Sequence, residues 1–337
     1  MHELRKDILI GRWVVVMTDH SKDPSYYFTD RRKPAPRIEP CPLCLQGNGL
    51  GTKEILAVKN PDDPNASVAV RVLANKDPLL QVDGDLSRRG VGMYDAMNGI
   101  GANEVIVESV EHNIEPEEIG NGHMAVLLDT YRQRLADLQK DTRFRYLLLF
   151  KNHGRAAGSA YDHPHSQIVA TPITPKTVRE ELNGARTYFK FKERCIFCDI
   201  LSQEMKTGTR IVAENIDFLA FVPFAPRSPF EIWILPRRHQ HNYTDLKPEQ
   251  TGNLASILTA CLMKLKLILK DPPYNLVLHN SPNKLPRVDH WQTLEDDFHW
   301  HIELIPRLFR MDGFEWGSGL HILPTTPEDA AGFLRRA

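Results

Sequence analysis

The chain has 337 residues, 42% of them hydrophobic and 25% charged, with a formal net charge of −1. Such a balance belongs to an ordinary folded protein with room for two domains or one internal duplication. It gives no general electrostatic footprint for nucleic acid or an anionic membrane, so any phosphate binding must be local. No apolar run approaches the ~20 residues of a spanning helix. The opening MHELRKDILIGRWVVV breaks its apolar positions with charge and has no small-residue cleavage site, so a cytoplasmic protein is expected.

In chain order, the first landmark is a Pro-rich segment, PAPRIEPCP, which leads into CPLC with Cys41 and Cys44. VRVLANKDPLL and NEVIVESV then read as strands, the second running on to His112. GHMAVLLDTYRQRLADLQKD has apolar residues at helical spacing (Met124, Leu127, Leu128, Tyr131, Leu135, Leu138) and predicts an amphipathic helix. The strand FRYLLLFKN follows, then DHPHSQIVATP. As a strand, the latter would place His163, His165 and Gln167 on one face, spaced by about 6–7 Å. Past residues 172–193 the order repeats: CIFC with Cys195 and Cys198, strands FLAFVPF and FEIWILP leading to His239, the helix TGNLASILTACLMKLKLIL, the strand YNLVLHN and then HWHIELIP. Glu104 to His112 and Glu231 to His239 are both eight-residue steps after a C-x-x-C. The tail TPEDAAGFLRRA opens with a Thr N-cap and an acidic first turn. We therefore expect an α+β protein with two repeats, residues 1–175 and 176–337, contributing to one antiparallel sheet with flanking helices.

Of the five cysteines, Cys261 lies in the second helical pattern and reads as core. The two C-x-x-C pairs lack the strand–helix setting of a thioredoxin-like redox site, so they read as metal ligands. Zinc takes four Cys or His ligands in tetrahedral sites. Cys41, Cys44, His112 and His163 supply one set; Cys195, Cys198, His239 and His299 supply the other. Four protein ligands leave no open position, so both sites are expected to be structural. His165 is then unassigned beside a fixed His163, and it reads as a nucleophile. His153, His241 and His290 read as solvated loop residues.

CPLC, EVIVESVEHN, FKNHGRAAGSAYDHPHSQIVATP and FHWHIELIPR resemble the galactose-1-phosphate uridylyltransferase family of the histidine-triad superfamily. The likeness runs from LRKDILIGRWVVV to GFEWGSG. It implies two histidine-triad-like halves, usually in a homodimer, and zinc on Cys41, Cys44, His112 and His163. It further implies His165 as nucleophile, Gln167 on the phosphate, and a phosphate loop containing Asn152, Gly154, Gly158 and Ser159. Arg31 or Arg32 would bind substrate, and Phe314 and Glu315 would mark the sugar contact. The implied reaction moves a nucleoside monophosphate from a nucleotide sugar to a sugar 1-phosphate through a nucleotidyl-histidine, most simply UDP-glucose to galactose 1-phosphate. Some members bind iron through a Glu and three His, for which Glu181, His279, His299 and His301 stand at matching positions. His321 replaces the family's sugar-binding glutamine, and Ala160 replaces a loop serine. GFEWGSG with a second C-x-x-C looks more like adenylyl-transferring relatives that phosphorolyse ADP-glucose.

Two other classes deserve weighing. A histidine-triad hydrolase would discharge the intermediate to water, but such proteins carry His where Gln167 stands. A zinc protein binding nucleic acid would use Arg31, Arg32, Lys33 and Arg37, against which the near-zero net charge argues.

Overall fold

The computed structural model describes residues 2–28, 41–44, 51–59, 68–283 and 291–337. Its strands are β1 (Glu3–Lys6), β2 (Trp13–Val16), β3 (Glu54–Lys59), β4 (Val68–Ala74), β5 (Arg89–Val91), β6 (Tyr94–Ala96), β7 (Ala102–Val107), β8 (Tyr146–His153), β9 (His165–Thr171), β10 (Ile211–Glu214), β11 (Phe218–Phe221), β12 (Ile232–Pro236), β13 (Tyr274–His279), β14 (His301–Pro306) and β15 (His321–Leu323). Its helices are α1 (Asn121–Leu138), α2 (Lys176–Lys192), α3 (Ile196–Thr207), α4 (Pro248–Leu269), α5 (Leu294–Asp297), α6 (Gly313–Ser318) and α7 (Pro327–Arg336).

The fold is α+β, built on one ten-stranded antiparallel sheet in the order β10-β11-β12-β14-β13-β8-β9-β7-β4-β3. The order mirrors itself about the β13–β8 pair, so β14 and β9, each preceded by a His two residues earlier, hold corresponding places. Strand alternation sorts the side chains. Leu147, Leu149, Ile168 and Ala170 face a core with α1, α4 and α7, matched across the sheet by Leu276, Leu278, Ile302 and Leu304. On the other face, α2 and α3 cover the second half, where Val178, Leu182, Ile196, Phe197 and Leu201 pack on Leu219, Phe221, Trp233 and Leu235, and the cluster reaches Tyr146 on β8. Gln167 pairs with Phe150, Phe150 with Val277 and Val277 with Glu303, so one row crosses that face from β9 to β14. Its Glu303 end lies under α2, whereas Phe150 and Gln167 stay half-exposed.

α4 is long and apolar enough by composition to cross a membrane. Here it is a core helix, with Leu254, Leu258, Cys261, Leu262, Leu265 and Leu269 buried. α1 buries Met124, Leu127, Leu128, Tyr131 and Leu135, the face its spacing predicts. Thr326 caps α7 by accepting Asp329 N at 3.1 Å. Several strands are shorter than their patterns suggest: NEVIVESV ends at Val107 and FLAFVPF at Phe221. VRVLANKDPLL leaves the ladder after Ala74, because the Asn75 side chain accepts Asp77 N in an Asx turn and Pro78 has no amide to pair.

Candidate active site

Cys41, Cys44, His112 and His163 converge, as do Cys195, Cys198, His239 and His299, with the ligand atoms of each group within 4.8 Å of one another. Zinc–sulfur bonds of ~2.3 Å and zinc–nitrogen bonds of ~2.0–2.1 Å at tetrahedral angles put sulfur and nitrogen roughly 3.6 Å apart. Cys44 Sγ lies 3.4 Å from His112 Nδ1 and 3.5 Å from His163 Nδ1; Cys41 Sγ lies 3.7 Å from His163 Nδ1. In the second group Cys198 Sγ lies 3.4 Å from His239 Nδ1 and 3.8 Å from His299 Nδ1. Both sets therefore have the donors and spacing to hold a tetrahedral metal. The far ring nitrogens are anchored too: His163 Nε2–H donates to Ser109 O at 2.7 Å, and His239 Nε2–H to Glu295 O at 2.8 Å. Such anchoring fixes tautomer and ring plane.

A third group, Glu181, His279 and His301, is separate. Glu181 reaches from α2 to His279 Nδ1 at 2.7 Å and to His301 Nε2 at 3.2 Å, and Glu303 lies 3.1 Å from His279 Nε2. The four-ligand iron alternative is thus split, because His299 faces Cys198 instead. Glu303 is also held by Arg227.

His163 lies just ahead of the strand that carries His165 and Gln167, not on it. Pro164 cannot donate to the ladder, regular pairing begins at His165, and the His163 ring turns to the cysteines. His165 Nδ1–H donates to the His163 carbonyl at 2.8 Å, which leaves the lone pair on Nε2. Burial lowers its pKa and favours the neutral ring. The Tyr161 ring meets it edge-on at 5.7 Å, and Val105, Val107, Leu43 and Leu73 form an apolar bed on the same face. His301 Nδ1 makes the same tether to His299 O at 3.1 Å, but Glu303 stands where the first half has Gln167, and the ring is fully buried.

The loop between β8 and β9 turns on two glycines with left-handed backbone, Gly154 at φ 75° and Gly158 at φ 95°, a conformation costly for other residues. Asn152 Nδ2 donates to Gly158 O at 3.3 Å. Asn275, on β13 of the other half, donates to both Asn152 Oδ1 and Ala157 O at 2.8 Å. Ser159 Oγ donates to Tyr161 O at 2.7 Å.

The structure does not gather every residue named from sequence. Arg31 and Arg32 lie outside the described residues, as does His290. Glu315 caps α6, accepting Asp312 N at 3.2 Å and Ile322 N at 3.2 Å, so both carboxylate oxygens are engaged in structure; its neighbour Phe314 is half-exposed. A cavity of about 1020 Å³ is lined by Arg88, Arg145, Arg179 and Trp291 beside Pro172–Thr174. It lies at the far end of β9, ~20 Å along the strand from His165. Sequence reasoning missed Asn275, Tyr161, Asn103 and the role of His153. His153 is no solvated loop residue: it lies between Glu115 (3.3 Å) and Asp271 (3.0 Å) and stacks on Tyr274.

A mirrored sheet with a paired His-x-His strand in each half defines a duplicated histidine-triad architecture. Residues 181–332 match the family description "Galactose-1-phosphate uridyl transferase, C-terminal domain", and residues 92–172 match the N-terminal domain of a family of unknown function, DUF4931. The chain is 32% identical to the ADP-glucose phosphorylase of Arabidopsis thaliana, over 99% of this chain and 92% of that one. It is 28% identical to the galactose-1-phosphate uridylyltransferase of Thermotoga maritima, over 99% and 98%. The crystal structure of an Arabidopsis thaliana ADP-glucose phosphorylase with bound ADP-glucose superposes with a TM-score of 0.81 at 28% identity, covering 100% of this chain and 99% of that one. The chain belongs to the galactose-1-phosphate uridylyltransferase family and is a nucleotidyltransferase.

Proposed function

We propose that His165 carries the nucleotide. Its Nε2 attacks the α-phosphorus of a nucleoside diphosphate sugar, the phosphoanhydride bond breaks, and sugar 1-phosphate leaves with the electron pair. A phosphate oxygen of the acceptor then attacks the nucleotidyl-histidine and frees His165. The observation that carries this reading is the His165 tether, which fixes the tautomer with Nε2 as nucleophile. Gln167 and the glycine-loop amides donate to the non-bridging oxygens as charge builds, and Asn152, Gly154, Gly158 and Ser159 shape that loop. Arg31 or Arg32 would contribute positive charge to the substrate, with Phe314 on its sugar side and Glu315 bracing that segment through Asp312 N and Ile322 N. Zinc in the two Cys–His groups supplies rigidity and no step of the reaction.

We put ADP-glucose first as donor, supported by the 32% relative and by the TM-score of 0.81 to an ADP-glucose-bound structure; phosphate would then be the acceptor. UDP-glucose with galactose 1-phosphate is the second reading, supported by the Thermotoga maritima relative matched over 98% of its length. The residues 1–175 and 176–337 are read as two copies, of which the first kept the chemistry. We read the enzyme as a cytoplasmic homodimer. Leu79, Val82, Val91, Met93 and Tyr94 are 52–86% exposed around β5 and β6, an apolar surface suited to association and checked by light scattering. Rapid mixing with each donor, no acceptor present, tests the reaction. A burst of one glucose 1-phosphate per chain is expected; a linear release with no burst contradicts the covalent route.

A further inference from the structure

Gln167 can help a phosphate only with its NH2 end, and an amide side chain has two ends that differ little in shape. The surroundings decide which end faces the ligand. Asn75 Oδ1 accepts the backbone amide of Asp77 at 3.1 Å, so its Nδ2 is the end left to donate, and it does so to Asn103 Oδ1 at 2.8 Å. The Leu79 amide points at the same Asn103 oxygen at 3.5 Å, an independent reason for that end to be the acceptor. Asn103 Nδ2 must then face Gln167, and it donates to Gln167 Oε1 at 3.4 Å. Two backbone amides, which cannot be flipped, thus set the direction of three side-chain amides in series.

Strand register makes the arrangement possible. Asn103 on β7 pairs with Val169 and Gln167 pairs with Val105, so Asn103 and Gln167 are diagonal neighbours on one face. Asn103 is buried, and Asn75 is tied to it a second time through its backbone N–H, which donates to Asn103 O at 2.9 Å. Gln167 is half-buried at the open end of its row, with its Oε1 engaged by Asn103.

We infer that Asn103 is a positioning residue for nucleotidyl transfer: with Asn75, it fixes the Gln167 amide so that its NH2, not its carbonyl, meets the phosphate. This rests on the reading of Gln167 as a phosphate donor. A carboxylate at position 103 would accept at both oxygens, forcing Gln167 to turn its NH2 inward and present its carbonyl to the phosphate. A carboxylate at position 75 would reverse Asn103 first and Gln167 next, from further away.

The test is single-turnover nucleotidylation of the full chain with ADP-glucose and with UDP-glucose. The variants are Asn103→Asp, Asn103→Ala, Asn75→Asp, Gln167→Met and the double Asn103→Asp/Gln167→Met. Removing one oxyanion donor costs about 10²–10³ in rate. Asn103→Asp should therefore slow transfer ~10–100-fold, with KM changed by less than about threefold, and it should be worse than Asn103→Ala. A packing role predicts the reverse order, because Asp matches Asn in shape. In the Gln167→Met background, Asn103→Asp should add less than about threefold, since no amide remains to turn. The full penalty in that background, or Asp milder than Ala, overturns the inference. If Asn103→Asp loses zinc or fails to fold, Asn75→Asp carries the same prediction, and wild-type kinetics there overturns it. Gln167→Met with normal transfer would instead overturn the role of Gln167 itself.

Discussion

Lys151 and Glu108 form an ion pair at 2.8 Å beside β9, the strand that carries His165, with both side chains at most 3% exposed. Glu108 also accepts the Tyr131 hydroxyl at 3.2 Å, and Tyr131 in turn accepts Ser166 Oγ at 2.7 Å. Breaking one side of a buried pair strands a charge, so Lys151→Met should destabilise by about 3–5 kcal/mol, and Lys151→Met/Glu108→Leu by less. Urea unfolding of the two variants checks the order. His153 offers a pH test. Burial pulls its pKa down, but the hydrogen bonds its ring donates to Asp271 and Glu115 outweigh that and hold it at about 9, above the ordinary 6.5. The folded pKa is raised, so its contribution is fully present below pH ~6.5 and is lost as pH rises through about 9. Wild type should lose stability across that window relative to His153→Phe; parallel curves for the two proteins would refute the assignment.

Among the elements, α2 does most to make the two halves unequal. It covers the second-half face, sends Glu181 to His279 and His301, and passes so close to the N-terminal segment that a Cβ on Gly184 would collide with Leu9 O. Helix propensity alone would make Gly184→Ala stabilising by up to ~1 kcal/mol. The contact predicts the opposite sign, a loss of about 1–3 kcal/mol by thermal or urea unfolding. The elements themselves were readable from sequence to different degrees. α1 and α4 were legible because their apolar residues recur at helical spacing over many turns. The end of β4 was not, because an Asx turn at Asn75 halts an apolar pattern that alternation alone would extend. His163 was read as part of the strand, which starts only at His165, because period two takes no account of Pro164.

At the scale of the whole molecule, the duplication was visible as repeated C-x-x-C, strand-end His and H-x-H landmarks, and both Cys–His groups converge accordingly. What one-dimensional spacing could not show is contact between halves. Asn275 holds the β8–β9 loop from across the β8–β13 seam. The sequence assignment of His299 to the Cys195, Cys198 and His239 set, apart from His279 and His301, agrees with the grouping seen. If both metals are structural, Cys41→Ser should lower zinc from about two to about one per chain and reduce Tm. Elemental analysis with calorimetry checks both. Unchanged zinc content would remove Cys41 from the ligand set.

The most direct test of the account is intact-protein mass after incubation with ADP-glucose or UDP-glucose and no acceptor, for wild type and His165→Ala. The account predicts a gain of one nucleoside monophosphate in the wild type, AMP if ADP-glucose is the donor and UMP if UDP-glucose is, and no gain in folded, zinc-loaded His165→Ala. An adduct that persists in His165→Ala would contradict it.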